Sequence, residues 1–111
     1  MYFIDITEPA ESDIQNAAEY ILKELKNRTA AIKLLDDVDE AVYSLEEMPF
    51  RHPLVDDEEL SDRGVRFFPV NNYLVFYAVR EDSKTVVIER FLYGRRDWRT
   101  ILQDEDETEY K

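Results

Sequence analysis

The sequence contains no cysteine and a single histidine, His52. Neither a disulfide framework nor a thiolate metal site can be built from it, and a histidine-based zinc site lacks its ligands. Only two glycines occur, at positions 64 and 94, so there is no glycine-rich phosphate loop. No apolar run approaches the roughly 20 residues that a bilayer-spanning helix needs. The opening Met-Tyr-Phe-Ile-Asp does not follow the basic-then-apolar order of a secretory signal. No Ser/His/Asp triad or paired-acid motif can be assembled. These absences lead us to expect a soluble, cytoplasmic protein with no metal site, cofactor or membrane attachment.

What is present suits one domain. The chain has 111 residues, 44% of them hydrophobic, enough for a modest core. The net charge of −12 argues against nonspecific nucleic-acid binding, but it is unevenly spread. Residues 1–62 carry 5 basic and 17 acidic side chains, residues 63–99 carry 8 and 4, and residues 100–111 carry 1 and 5. An acidic body therefore surrounds one basic stretch, and screening over roughly 8 Å at physiological salt lets that stretch act locally.

The basic stretch is also the structural centre. From Gly64 to Trp98, three runs rich in Val, Ile, Phe and Tyr are separated by Asn71-Asn72 and by Asp82-Ser83. That pattern predicts a three-stranded antiparallel meander. The middle run is apolar at both parities (Tyr73, Val75, Tyr77 and Val79 against Leu74, Phe76 and Ala78), which places it centrally and covered on both faces. Upstream, Tyr2–Ile6 reads as a strand joining the sheet. Thr7 and Pro9 then open a helix with the stripe Ile14, Ala17, Ala18, Ile21, Leu22 and Leu25, ending near Asn27-Arg28. Thr29 is the expected cap of a second helix, with the stripe Ala31, Leu34, Leu35, Val38, Val42 and Leu45, stopped by Pro49. A break of a residue or two makes the pair an αα-hairpin. Residues 50–62 read as a loop, and its run Asp56-Asp57-Glu58-Glu59 as a solvated one, because the spacing is not that of a calcium loop. A short helix is expected over Arg95–Leu102, with Trp98, Ile101 and Leu102 turned inward. The class is α+β: residues 1–103 form a single domain and 104–111 an acidic, mobile tail.

Arg63, Arg66, Arg90, Arg95, Arg96 and Arg99 fall in or beside the meander. The guanidinium fork suits phosphate or carboxylate, so together they suggest a binding surface. Singly, each can equally balance a local acid such as Asp97 or Glu89. Among the neighbouring tyrosines, Tyr73 and Tyr77 read as core and Tyr93 as the functional candidate. His52 is chemically capable of general-base work, though an inert surface histidine is the simpler reading.

The order of elements, with Gly64-Val65-Arg66, Asn72 to Val79, Val86 to Arg90 and above all Tyr93-Gly94-Arg95-Arg96-Asp97, resembles the RelE/ParE superfamily of type II toxin–antitoxin toxins. The resemblance covers residues 2–102. It implies a growth-inhibiting toxin of a plasmid-stabilisation type, silenced by a cognate antitoxin; the charge map, with its basic stretch between acidic flanks, leads us to expect that antitoxin to cover the basic sheet region and the groove of the hairpin. Two mechanisms occur in the superfamily: poisoning of DNA gyrase, as in ParE-like members, and ribosome-dependent cleavage of messenger RNA, as in RelE-like members. The resemblance carries Arg66 and Arg96 onto the basic positions of the ribonuclease branch, with Tyr93 or His52 as a conceivable base. Arg63, Arg90, Arg95 and Arg99 are expected to bind. Leu74 and Leu102 stand where that branch places an arginine and a tyrosine, which tilts the expectation toward the gyrase poison.

Overall fold

The computed structural model describes the backbone of residues 1–109 and the side chains of residues 1–103. Four strands form one sheet in the order β1-β4-β3-β2, with β1 at Phe3–Ile6, β2 at Arg66–Val70, β3 at Tyr73–Arg80 and β4 at Thr85–Tyr93. The meander is antiparallel, and β1 joins β4 in parallel, Phe3 against Thr85 through Ile6 against Ile88. Asn71 turns the first hairpin at φ 55°, a left-handed conformation that asparagine tolerates better than most residues.

The apolar parity of β3 has the expected consequence. Val75 and Tyr77 point into a core beneath the helical hairpin, with Leu34, Val38, Val42, Ile88 and Phe91. Phe76 points the other way, into a second core with Val65, Leu60, Leu92 and Leu102. Burying a side chain such as Leu102 stabilises the fold by about 2 kcal/mol. The two layers together hold the middle strand.

The hairpin helices are α1 at Glu8–Lys23 and α2 at Arg28–Tyr43. Thr7 caps α1 by accepting from the Ala10 amide at 3.2 Å, with Pro9 and two acids in the first turn. The cap of α2 is Asn27, not Thr29: its side chain accepts from the Ala30 amide at 3.0 Å, while Lys26 at φ 51° turns the chain. The connection is therefore residues 24–27, longer than the stripes suggest. A 3-10 turn at Ser44–Glu46 and a left-handed Met48 end α2 before Pro49.

Two further elements differ from the sequence reading. The acidic run opens a short helix, α3 at Glu58–Asp62, because Asp57 accepts from the Leu60 amide at 3.1 Å and Glu58 and Glu59 fill the first turn. The last helix, α4, starts at Trp98, where Asp97 accepts from the Thr100 hydroxyl at 2.8 Å. It runs on to Glu109, with neither glycine nor proline after Leu102 to stop it. Positions 110 and 111 of the acidic tail lie outside the described residues.

Parallel pairing with β1 ends at Ile88, which leaves the outer edge of β4 open beyond that point. Asp13 of α1 takes over. Its carboxylate accepts from Arg90 Nε at 2.6 Å, from Arg90 Nη2 at 2.8 Å and from the Phe91 amide at 3.1 Å, with both side chains largely buried. One side chain thus ties a helix to a strand edge and neutralises a nearly buried guanidinium. Asp13→Ala should lower unfolding stability by about 3 kcal/mol, because an uncompensated charge stays behind. Asp13→Ala combined with Arg90→Met should recover part of that loss. Urea denaturation of the wild type and both variants checks the order.

At the opposite end of the sheet, His52 stacks on Phe68 with ring centroids 4.4 Å apart. Burial, and then the neighbouring Arg51, hold its pKa below the usual 6.5. The fold therefore prefers the neutral ring. Above pH 6.5 neither state is protonated; as pH falls through 6.5 the unfolded chain takes up a proton that the folded chain refuses. Stability should fall over that interval until the lowered native value is passed. His52→Phe should remove that component of the slope, read as the variant-minus-wild-type difference in denaturation midpoint between pH 7.5 and 5.

Candidate functional site

Below the turn of the hairpin, α1, α2 and the tip of the meander enclose a groove of about 840 Å³. Ala17, Tyr20 and Ile21 form the α1 wall, Leu25 lines it from the connection, and Ala30, Lys33 and Leu34 form the α2 wall. The floor is Tyr73 and Phe91, and the rim carries Asn71, Asn72, Tyr93 and Arg96. Its size is that of a ligand or peptide-anchor site, with apolar walls and a few polar groups at the edge.

The floor depends on an irregularity in β4. Tyr77 pairs with Ile88 but Phe76 pairs with Arg90, so Glu89 is an extra residue, a β-bulge. Ile88 and Phe91 would face opposite sides of a regular strand. The bulge puts both on the helix side, where Tyr73 stacks on Phe91 at 4.7 Å and meets the Tyr93 ring edge-on at 5.8 Å. Burial, followed by the adjacent Tyr20 and Tyr93, raises the pKa of the Tyr73 phenol, which therefore remains a hydrogen-bond donor at neutral pH.

Gly94 sets the exit from β4. Its amide donates to the Asn72 carbonyl at 2.9 Å, and a Cβ there would lie 3.3 Å from that oxygen. The absent side chain lets the chain hug the β2–β3 turn. The Arg96 amide then donates back to the Tyr93 carbonyl at 2.9 Å, and Arg96 reaches the groove. Arg95 and Arg96 are both exposed, and neither side chain has a partner among the described residues.

The other four candidate arginines are engaged elsewhere. Arg63 pairs with Glu89 at 3.3 Å and Arg90 with Asp13. Arg66 donates to the carbonyls of His52 at 2.6 Å and Phe50 at 3.3 Å, and lies over the Phe50 ring. Arg99 donates to the Asp56 carbonyl, lies 3.8 Å from Asp57 and covers Trp98. Glu89 is thus taken by Arg63 and not by Arg96 or Arg99. Arg66 pairs with Tyr77, four residues along β3 from Tyr73 at the groove, a separation of about 13 Å. His52 sits with Arg66 at that far end. Of the residues singled out from the sequence, Tyr93 and Arg96 reach the groove and Arg95 stands beside it. Tyr77 is fully buried and donates to the Pro49 carbonyl at 2.6 Å.

Leu74 and Leu102 both belong to the second core, under α4. Sequence reasoning missed Tyr20, Lys33 and Asp13. The one available signal was Tyr20, a large aromatic on the polar side of the α1 stripe. Among the described residues no cluster of three His, Cys, Asp or Glu side chains forms a metal site, and no helix is long and apolar enough to cross a membrane.

Comparison with known proteins agrees with this architecture. Residues 4–98 match the family described as the ParE toxin of the type II toxin–antitoxin system parDE. Among solved structures, the chromosomal ParDE system of P. aeruginosa superposes with a TM-score of 0.68 at 20% identity, covering 84% of this chain and 96% of that one. The toxin–antitoxin complex RelBE2 of Mycobacterium tuberculosis gives 0.60 at 21% identity, covering 83% and 96%. No curated protein matches. With a family match spanning most of the residues, from β1 to the start of α4, the chain belongs to the ParE toxin family of type II toxin–antitoxin systems.

Proposed function

We propose that this chain arrests growth by binding its target, with DNA gyrase as that target, and that a cognate antitoxin silences it. The observation that supports binding over RNA cleavage is the dispersal of the basic groups. In-line cleavage needs donors converging on one scissile phosphate, each worth roughly 10²–10³ in rate. Here Arg66 is held by two backbone carbonyls at one end of the sheet, while Arg96, exposed and without a partner among the described residues, lies at the groove at the other. The two positions where the ribonuclease branch carries polar side chains, Leu74 and Leu102, are packing residues. Arg96, Arg95 and Tyr93 around an apolar groove make a recognition surface, with aromatic area for affinity and two guanidinium groups for orientation.

Purified protein should leave message intact on programmed ribosomes, and should stall gyrase supercoiling with cut DNA trapped. A-site cleavage with a 2′,3′-cyclic phosphate end would overturn the proposal and restore the RelE-like alternative. Arg96→Ala should lose at least tenfold in growth arrest at unchanged melting temperature. Arg66→Ala should lower the melting temperature, with any loss of toxicity following the loss of folded protein. Induction in cells at matched protein levels, paired with thermal denaturation, separates the two.

A further inference from the structure

The two edges of the sheet are finished differently. On β2 the Phe67 amide donates to the Pro53 carbonyl at 3.1 Å, Leu54 bridges Arg66, and Pro69 has no N–H to offer. That edge is closed. On β1, Phe3 and Thr7 donate inward, to the carbonyls of Lys84 at 2.8 Å and Ile88 at 3.1 Å. The alternation of the strand therefore turns the amides and carbonyls of Ile4 and Ile6 outward. The outward Tyr2 amide is taken by Glu46 at 2.9 Å, but no described residue bonds the amides of Ile4 or Ile6. Edge strands are normally blunted by proline, lysine or a bulge, and β1 has none of these.

The surroundings of this edge are apolar and acidic. Phe3 is 72% exposed and Met48 75%. Phe50, exposed as well, meets Tyr2 edge-on with centroids 6.5 Å apart. Asp5 projects from β1 on the Phe3 side, Glu8 follows in the first turn of α1, Glu46 and Glu47 flank the Tyr2 contact, and Glu81 accepts from the Tyr2 hydroxyl. The cations beside them are engaged: Lys84 pairs with Glu81 at 3.3 Å, and Arg51 donates to the carbonyls of Ser44, Glu47 and Met48. A second copy of this chain would set the same carboxylates against each other, on a molecule of net charge −12.

We propose that the β1 edge is a strand-addition site for an extended segment of a partner protein in which Lys or Arg alternates with aliphatic residues. Backbone bonds to Ile4 and Ile6 supply the register, apolar side chains extend the face of Tyr2, Ile4 and Ile6 toward Phe50, and the basic ones meet Asp5 and the exposed Phe3 ring on the other face. The site touches Arg66 only through Phe50, over whose ring that guanidinium lies, and it depends neither on the groove nor on which target the toxin poisons.

The test uses the whole chain and three synthetic seven-residue peptides: alternating Val and Lys, alternating Val and Glu, and a peptide of equal positive charge with Pro in place of Val. The first should bind at least tenfold more tightly than the other two, and should slow hydrogen exchange at the Ile4 and Ile6 amides. Asp5→Lys and Ile4→Pro should each weaken it at least fivefold. Melting curves check that both variants fold, and Asp5→Lys alone serves if Ile4→Pro does not. Equal binding of the proline peptide would reduce the effect to charge attraction and overturn the proposal. So would protection confined to Tyr93–Arg96, indifference to Asp5→Lys, or a dimer of the free chain protected at Ile4 and Ile6.

Discussion

One extra residue in β4 determines what the rest of the molecule can present. The bulge at Glu89 brings Ile88 and Phe91 to the same face, so the helix-side core continues to the end of the strand and becomes the floor of the groove. Its position is over-determined: Thr7 donates from its hydroxyl to the Glu89 carbonyl at 3.1 Å, Arg63 meets the Glu89 carboxylate, and Asp13 holds the next two residues. These contacts come from the start of α1, its second turn and the end of α3. The bulge is thus where helices on both faces of the sheet are registered against it. Without the extra residue, Phe91 and Leu92 would exchange cores.

The electrostatics follow the same division. A guanidinium close to the sheet and shielded from water requires a carboxylate or carbonyls, and Arg90, Arg63 and Arg66 have them. Beyond Gly94 the chain leaves the sheet, burial ends, and Arg95 and Arg96 can remain uncompensated in solvent. The basic stretch seen in the sequence is therefore not one surface. It is a set of internal ties, with Arg95 and Arg96 at its end lacking a side-chain partner among the described residues. Part of the acidic excess of the body lies on the first turns of α1 and α3 and around the β1 edge, where carboxylates either complement helix dipoles or face water. Attraction and repulsion are thereby sorted by place, which steers a partner to a particular side of the molecule.

The sequence by itself determined the α+β class, the order of elements, the doubly covered middle strand and the family. Period-2 and period-3.6 apolar patterns, with Asn71, Pro9 and Pro49 as punctuation, are local properties of the chain. The Tyr93-Gly94-Arg95-Arg96 segment was legible as functional because a glycine between a strand and two arginines has a local meaning. Local signals also left some boundaries open. Asn27 and Thr29 are both competent caps, and only the turn at Lys26 chose between them. The acidic run became a helix start because Leu60 had a core to enter. What only the tertiary structure decided was which arginines are free. Pairing depends on residues distant in sequence, Asp13 with Arg90 and His52 with Arg66, and those distances come from packing α1 and the Pro49–Val55 loop onto the sheet. Spacing along a chain does not encode such encounters; burial creates them, by withdrawing the water that would otherwise solvate each charge alone.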